Sequence, residues 1–272
     1  NRFYHCGLLS YQNLFQNISF RSVGGSLEEV QDVTCEDLEI CYKAFYHPSN
    51  QLMVIAGNFD KEKVISLIQN FYQKKKIEKK EVTFIPPKEP LAVVKQEDTL
   101  IFPTPLDYVS FSFKFDISKL NPKEKLTLNY YLSSFYHQFF GIVSPLYKEC
   151  VDQGIISAFI HTGDVMFGPF LIVSIGAYTH NSKVFKEKVL ETIQNRNSFD
   201  EEAFQLDKNS CILKMILRDE NIMSMIIPFV DNVIDYDYPY LDTVQDIEEM
   251  NYKEYVETIK KLDFTNYTVV TI

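Results

Sequence analysis

Residues 24–60 read GGSLEEVQDVTCEDLEICYKAFYHPSNQLMVIAGNFD, the densest run of element signals in the chain. Gly24-Gly25 breaks the apolar pattern that precedes it. Ser26 with Glu29 three residues on has the spacing of a capping box, in which each side chain serves the other's backbone amide. Thr34 and Asp37 repeat that spacing in a weaker form, the carboxylate mainly serving the dipole at a helix start. The helix opened by Thr34 carries Leu38, Cys41, Tyr42 and Phe45 on one face. His47-Pro48 ends it, because the residue before a proline is pushed out of the helical region. Leu52, Met53, Val54 and Ile55 then predict a buried strand over residues 51–56. Residues 57–60 form the turn, and Asp60 caps a helix that runs to about Gln73. The order is helix, strand, helix.

Upstream, Leu8, Leu9, Leu14, Phe15 and Ile18 give one apolar helical face within residues 1–21. Downstream, three prolines in residues 86–90 predict a stiff, exposed linker, and a domain boundary is placed there. Strands are expected over residues 91–102 and 108–115, the second with Val109, Phe111, Phe113 and Phe115 alternating so that one face is buried. Asn121-Pro122 starts a long helix that Gly141 stops. A short helix over 144–153 follows, then a hairpin of 155–161 with 170–178. Helices are expected over 182–196, 200–217, 220–235, 242–249 and 251–261, and a closing strand over 267–272. An antiparallel sheet with helices on one face fits this order. Residues 34–55 and 251–272 share the pattern of helix, polar break and strand, which hints at two domains of one kind.

The net charge of −10, from 37 acidic and 27 basic residues, argues against a nucleic-acid partner, which needs a basic face. The lysines at 74–76 and 79–80 read as a solvated helix end. Cys6, Cys35, Cys41, Cys150 and Cys211 show no C-x-x-C spacing. They fit buried thiols in a reducing, cytoplasmic setting. No run is long enough to span a membrane. The chain opens on Asn1 rather than methionine, so a preceding segment is expected.

A metal site needs several His, Cys, Asp or Glu at helix or strand spacing. His5, His47, His137, His161 and His180 are scattered, and neither H-E-x-x-H nor H-x-x-E-H occurs. Ser157, His161 and Asp164 lie close in sequence, but Ser157 and His161 are too far apart along a strand to bond. No G-x-S-x-G elbow surrounds any serine. Cys6 beside His5 is a sequence neighbour and not a dyad. Gly24-Gly25 lacks the span and lysine of a phosphate loop. Tyr130, Tyr131, Phe135, Tyr136, Phe139 and Phe140 crowd one helix and read as core, with a partner-facing aromatic surface as the lesser alternative. No catalytic or metal residue is assigned, and no substrate-binding residue is named.

The stretch from Gly24 to Leu38, followed by Tyr42, Phe45-Tyr46-His47-Pro48-Ser49-Asn50 and Val54-Ile55-Ala56-Gly57-Asn58-Phe59-Asp60, resembles the insulinase/pitrilysin family of zinc metallopeptidases. It is most similar to the bacterial branch of two-domain half-proteins, which work as pairs. Phe140-Gly141, Ser144-Pro145-Leu146-Tyr147 and Gly154-Ile155-Ile156 continue the resemblance. It implies an α+β fold of two homologous domains, with antiparallel sheets packed against helices, around a peptide-sized chamber. It also implies one zinc site, in the first domain, held by an inverted H-x-x-E-H motif whose glutamate activates water. That motif would fall before Asn1. Residues 1–85 are therefore expected to be the C-terminal part of an incomplete first domain, 86–90 the linker, and 91–272 the whole second domain. Relatives place an arginine and a tyrosine near the reaction centre, and the positions matched here are Val151 and Ser157.

The expectation is a C-terminal portion of a zinc peptidase or peptidase-like protein, forming the non-zinc half of the chamber and inactive alone. A natural non-catalytic subunit of an active relative is the alternative. The implied partners are a peptide substrate and a homologous subunit or N-terminal half. No cofactor is expected in this chain, with zinc implied for the full-length family member.

Overall fold

A computed structural model describes residues 2–21, 23–80, 87–101 and 103–272. The boundary placed at residue 85, and Pro86 of the linker, lie outside the described residues.

The sheet is built on β2 (Asp107–Asp116). Its inner positions Val109, Phe111, Phe113 and Phe115 are fully or nearly buried, as the alternation predicts. The outer positions Ser110, Ser112 and Lys114 are buried as well, so both faces of the strand are covered. β3 (His161–Phe167) and β4 (Phe170–Thr179) form a hairpin, and β5 (Tyr267–Thr271) closes the chain. The strand order is β1-β5-β2-β4-β3, antiparallel except that the short β1 (Glu97–Thr99) lies parallel to β5. The sheet is therefore mixed, where an antiparallel one was expected.

Two strands differ from expectation. The hairpin arm is β3 and not residues 155–161: Ile155, Ile156 and Ile160 are buried in the core, and only an isolated bridge joins Ile156 to Thr179. Gly168, at φ +57°, starts the two-residue turn that sets the register Phe167↔Phe170. The expected strand over 91–102 shrinks to β1, because the preceding backbone is bound by side chains. Asn266 Nδ2 donates to the Leu91 and Lys114 carbonyls, and Asn266 Oδ1 accepts from the Val93 amide.

On the inner face pack α5 (Pro122–Phe140), α6 (Pro145–Asp152), α7 (Ser182–Gln194), α8 (Glu201–Asp219) and α11 (Tyr252–Lys261). α9 (Ile222–Tyr236) leans on α8, and α10 (Val244–Glu248) follows it. α5 starts in a reciprocal cap: Asn121 Oδ1 accepts from the Glu124 amide at 3.0 Å, and Glu124 accepts from the Asn121 amide at 2.7 Å. It ends at Gly141, where a Cβ would meet the His137 carbonyl oxygen at 2.5 Å. Of its aromatic rings, Tyr131, Phe135, Tyr136, Phe139 and Phe140 are buried core.

The outer face is covered by α1 (Arg2–Leu14), although helices were expected on one face only. Leu14 and Phe15 pack with Phe170 and Ile172, while Cys6 packs with Tyr108, Val270 and Ile272. The residues that the sequence reading assigns to a first domain thus begin with a helix that covers the outer face of this sheet.

Residues 23–80 hold α2 (Leu27–Asp32), α3 (Cys35–Phe45) and α4 (Lys61–Lys75). Both predicted capping boxes form, Ser26 with Glu29 and Thr34 with Asp37. None of the three helices contains a buried residue. The buried strand predicted over 51–56 is absent: the backbone there has no ladder, and Leu52, Met53 and Ile55 are exposed. A strand needs neighbours for its amides and carbonyls, and none is supplied among the described residues.

Candidate functional site

His47, His137 and His161 are each held by local contacts. His47 Nδ1 accepts from the Ser49 amide at 3.2 Å and caps a short 3₁₀ turn. His161, at the start of β3, sits edge-on to Phe3, Tyr108, Phe159 and Tyr178, and burial lowers its pKa. His137 Nδ1 lies 2.7 Å from Asp207, whose other oxygen accepts from Ser134 Oγ at 2.6 Å. There the carboxylate stands between serine and histidine. A nucleophile needs the histidine in the middle, as the base that takes the hydroxyl proton. That trio ties α5 to α8 and has no catalytic geometry.

Among the described residues no group of three or more His, Cys, Asp or Glu could hold a metal ion. The donors among the described residues do not fit zinc, which the resemblance places in a part of the family outside residues 1–272. Ser157 is exposed, with its amide donating to the Tyr178 carbonyl at 3.3 Å. Val151 is exposed on α6, and Cys150 beside it is fully buried, its thiol pushed up to about 11 by burial. Neither position supplies an arginine, and Ser157 supplies no phenol.

Sequence reading missed a cleft of about 480 Å³ between α5, α8 and α9. Tyr130 Oη donates to Asp242, and Arg218 Nη1 and Nη2 donate to the Asp242 carboxylate and carbonyl at 3.1 and 2.9 Å. Asp231 and Asp235, one helical turn apart on α9, face the same space, and burial with the Asp231 charge raises Asp235. At its rim Asp164 of β3 accepts from Asn129 at 2.8 Å and Tyr136 at 3.1 Å, with its pKa raised by burial. The only advance signal was the i, i+4 aspartate spacing, which is indistinguishable from a solvated helix face. The cleft offers polar binding groups and no activated nucleophile.

The second candidate surface is the bare apolar side of residues 23–80. Met53, Ile55, Phe59, Ile65 and Tyr72 line an open groove there. Leu38, Tyr42, Phe45 and Phe71 are each more than half exposed. Exposed apolar area of this extent marks a candidate interaction surface.

The described residues thus form an α+β sheet covered on both faces, with an apolar segment left bare beside it. Residues 32–210 match the family described as Peptidase M16 inactive domain, and the chain belongs to that family. Among curated relatives it is 29% identical over 171 residues to the "uncharacterized zinc protease YmfH" of Bacillus subtilis, a match that covers 58% of this chain and 38% of the relative. It is 25% identical over 209 residues to "Protein HypA" of Clostridium perfringens, covering 69% of this chain and 20% of that protein. The chain thus spans well under half the length of these relatives. The solved structure of an M16-like peptidase from Alicyclobacillus acidocaldarius superposes with a TM-score of 0.78 at 18% identity, covering all of this chain and 66% of that one. The insulinase-family resemblance therefore stands, and this is its inactive, C-terminal side.

Proposed function

We propose that this chain is the non-zinc half of an M16-type peptidase or peptidase-like protein and forms one wall of a peptide-binding chamber. In this reading it does not cut peptides alone. Its residues 23–80 are the trailing part of a first domain, whose missing sheet strands come from a preceding, zinc-bearing portion. Residues 91–272, with α1 added, form the second domain. The observation that carries the reading is the segment 23–80. It holds family-like sequence, well-capped helices and a strand-forming run, yet buries nothing. Strands contributed by the other portion would pair with residues 51–56 and cover Leu38, Tyr42 and Met53.

The zinc and its water-activating glutamate belong, in this reading, to that other portion. This half contributes shape and polar groups, with the α5–α8–α9 cleft as the candidate contact for polar peptide side chains. Among the described residues no helix is long and apolar enough to cross a membrane. All five cysteines are free, which supports a reducing, cytoplasmic setting.

The test is the intact mass of the native product in its source cell, combined with zinc content and peptide hydrolysis of the isolated chain. A product well above 31.8 kDa, carrying H-x-x-E-H upstream, is expected, with no hydrolysis from this chain. A product of the same mass that co-purifies with a separate H-x-x-E-H protein would make it a natural partner subunit. One equivalent of zinc in the isolated chain would overturn the reading.

A further inference from the structure

Lys114 is the one cationic side chain buried in the sheet among the described residues, and it is 1% exposed. Its ammonium donates to the Leu14 carbonyl at 2.8 Å and the Pro90 carbonyl at 2.7 Å, and it lies 3.4 Å from Glu89 Oε1. The rings of Phe15 and Phe170 flank it at 4.3 and 4.5 Å. The Glu89 carboxylate, 2% exposed, also accepts the Gln16 and Asn17 amides at 2.7 and 2.8 Å. Asn17 Nδ2 reaches back to the Lys88 carbonyl at 2.6 Å. The linker read from sequence as exposed is, from Lys88 onward, fastened into the sheet's outer face.

The position of this pair in the chain gives it a further meaning. In sequence, residues 23–80 lie between the stretch that holds Gln16 and Asn17 and the stretch that begins at Pro87. α2, α3 and α4 make no more than isolated contacts with the sheet or its helices. The described flanking stretches, residues 16–21 and 87–90, are taken as the two stems of the segment. Glu89 binds one stem through Gln16 and Asn17 and belongs to the other, and Lys114 ties both to the rigid sheet.

We infer that Glu89 and Lys114 form a latch at a hinge, which sets how residues 23–80, and whatever completes them, are held against the sheet domain. Closed, the pair staples the two stems and limits the segment to one direction of exit. Open, each stem swings separately on its own backbone. The latch serves equally whether the segment is completed by a preceding half or by a separate subunit. A carboxylate with two backbone amides and one ammonium has no equal substitute, since an amide side chain has a single acceptor oxygen, turns an NH2 donor on the second backbone amide and cannot balance the buried charge.

The experiment uses the full chain and two variants, Glu89→Gln and the double variant Glu89→Leu/Lys114→Met. The double variant replaces the charges by apolar groups of similar size, which keeps the sheet folded. Hydrogen exchange should speed at least about tenfold at the Gln16 and Asn17 amides in both, while β2 and β4 stay protected. Spin labels at Glu39→Cys in α3 and Glu187→Cys in α7, in a cysteine-free background, should give a broader distance distribution once the latch is removed. Unchanged exchange at Gln16 and Asn17 in the double variant overturns the proposal. So does uniform acceleration that includes β4 in the double variant, or a parent distribution already as broad as that of the variants.

Discussion

Residues 34–55 and 251–272 are nearly the same sentence written twice, and they end in different structures. Each opens on a polar cap with an acidic residue three positions on: Thr34 with Asp37, and Asn251 with Glu254. Each then forms a helix, α3 and α11, and each continues into an apolar run. In the second copy Tyr255 and Ile259 are fully buried and residues 267–271 form β5 between β1 and β2. In the first copy the corresponding Leu38 and Tyr42 are 61% and 65% exposed, and no strand forms. Met53 and Ile55 are open where Val270 and Ile272 are closed. Helices need only their own hydrogen bonds and caps, so both copies make them. A strand borrows its partners, and only the second copy has any.

The strongest way to break this comparison is to truncate matched side chains. Ile259→Ala should cost about 2–5 kcal/mol of unfolding free energy, as buried aliphatic truncations do. Tyr42→Ala should stay within about 0.5 kcal/mol, as exposed substitutions do. Urea unfolding of the isolated chain measures both. A large loss for Tyr42→Ala would mean that the free chain covers this face by self-association. Adding the completing portion should turn Tyr42→Ala into a costly change.

The matched caps sharpen the point at a smaller scale. Asn251→Ala should lower global stability by about 1 kcal/mol. Thr34→Ala should leave the unfolding midpoint unmoved and raise amide exchange within α3 alone, because that helix is not coupled to the core.

Acid should act on the junction between the two regions. Burial disfavours the Glu89 carboxylate, but the Gln16 and Asn17 amides and Lys114 outweigh it and leave its pKa lowered. Its contribution to stability is therefore complete above the unfolded value of about 4.3 and is lost as pH falls through the lower folded value. Asp98 and Asp116 are lowered too, chiefly by hydrogen bonds from Lys95 and Ser118. The share due to Glu89 is read from the difference between parent and Glu89→Gln, which should be constant above about pH 5 and shrink below about pH 4.

The smallest expected effect concerns His161. Burial lowers its pKa, so the folded state disfavours the proton, and stability falls as pH drops below the unfolded value of about 6.5. His161→Phe should flatten that slope between pH 7 and pH 5 in thermal unfolding, with little change at pH 8.

The cleft was not legible beforehand, because Tyr130, Arg218 and Asp242 are brought together from three separate elements. The alternation of β2 was legible, yet Ser110, Ser112 and Lys114 gave no sign of being buried too. Polar residues on alternate positions read as a solvent face, and only the docking of α1 shows otherwise. In the run at 155–161 only Ile155, Ile156 and Ile160 enter the core, which periodicity cannot distinguish from a strand. The proline-rich linker was visible as a break, while its anchoring through Glu89 was not.

Helix starts, the α5 boundaries and the inner face of β2 were legible in the chain, because caps, glycine stops and short-range periodicity act within a few residues, and the family was legible as a motif resemblance over residues 24–60. The tertiary structure alone decided which apolar runs became strands, which side of the sheet was covered, and where Lys114 found its partners. Those outcomes depend on groups far apart in the chain, whose free energy of burial exists only once another surface is there to receive them.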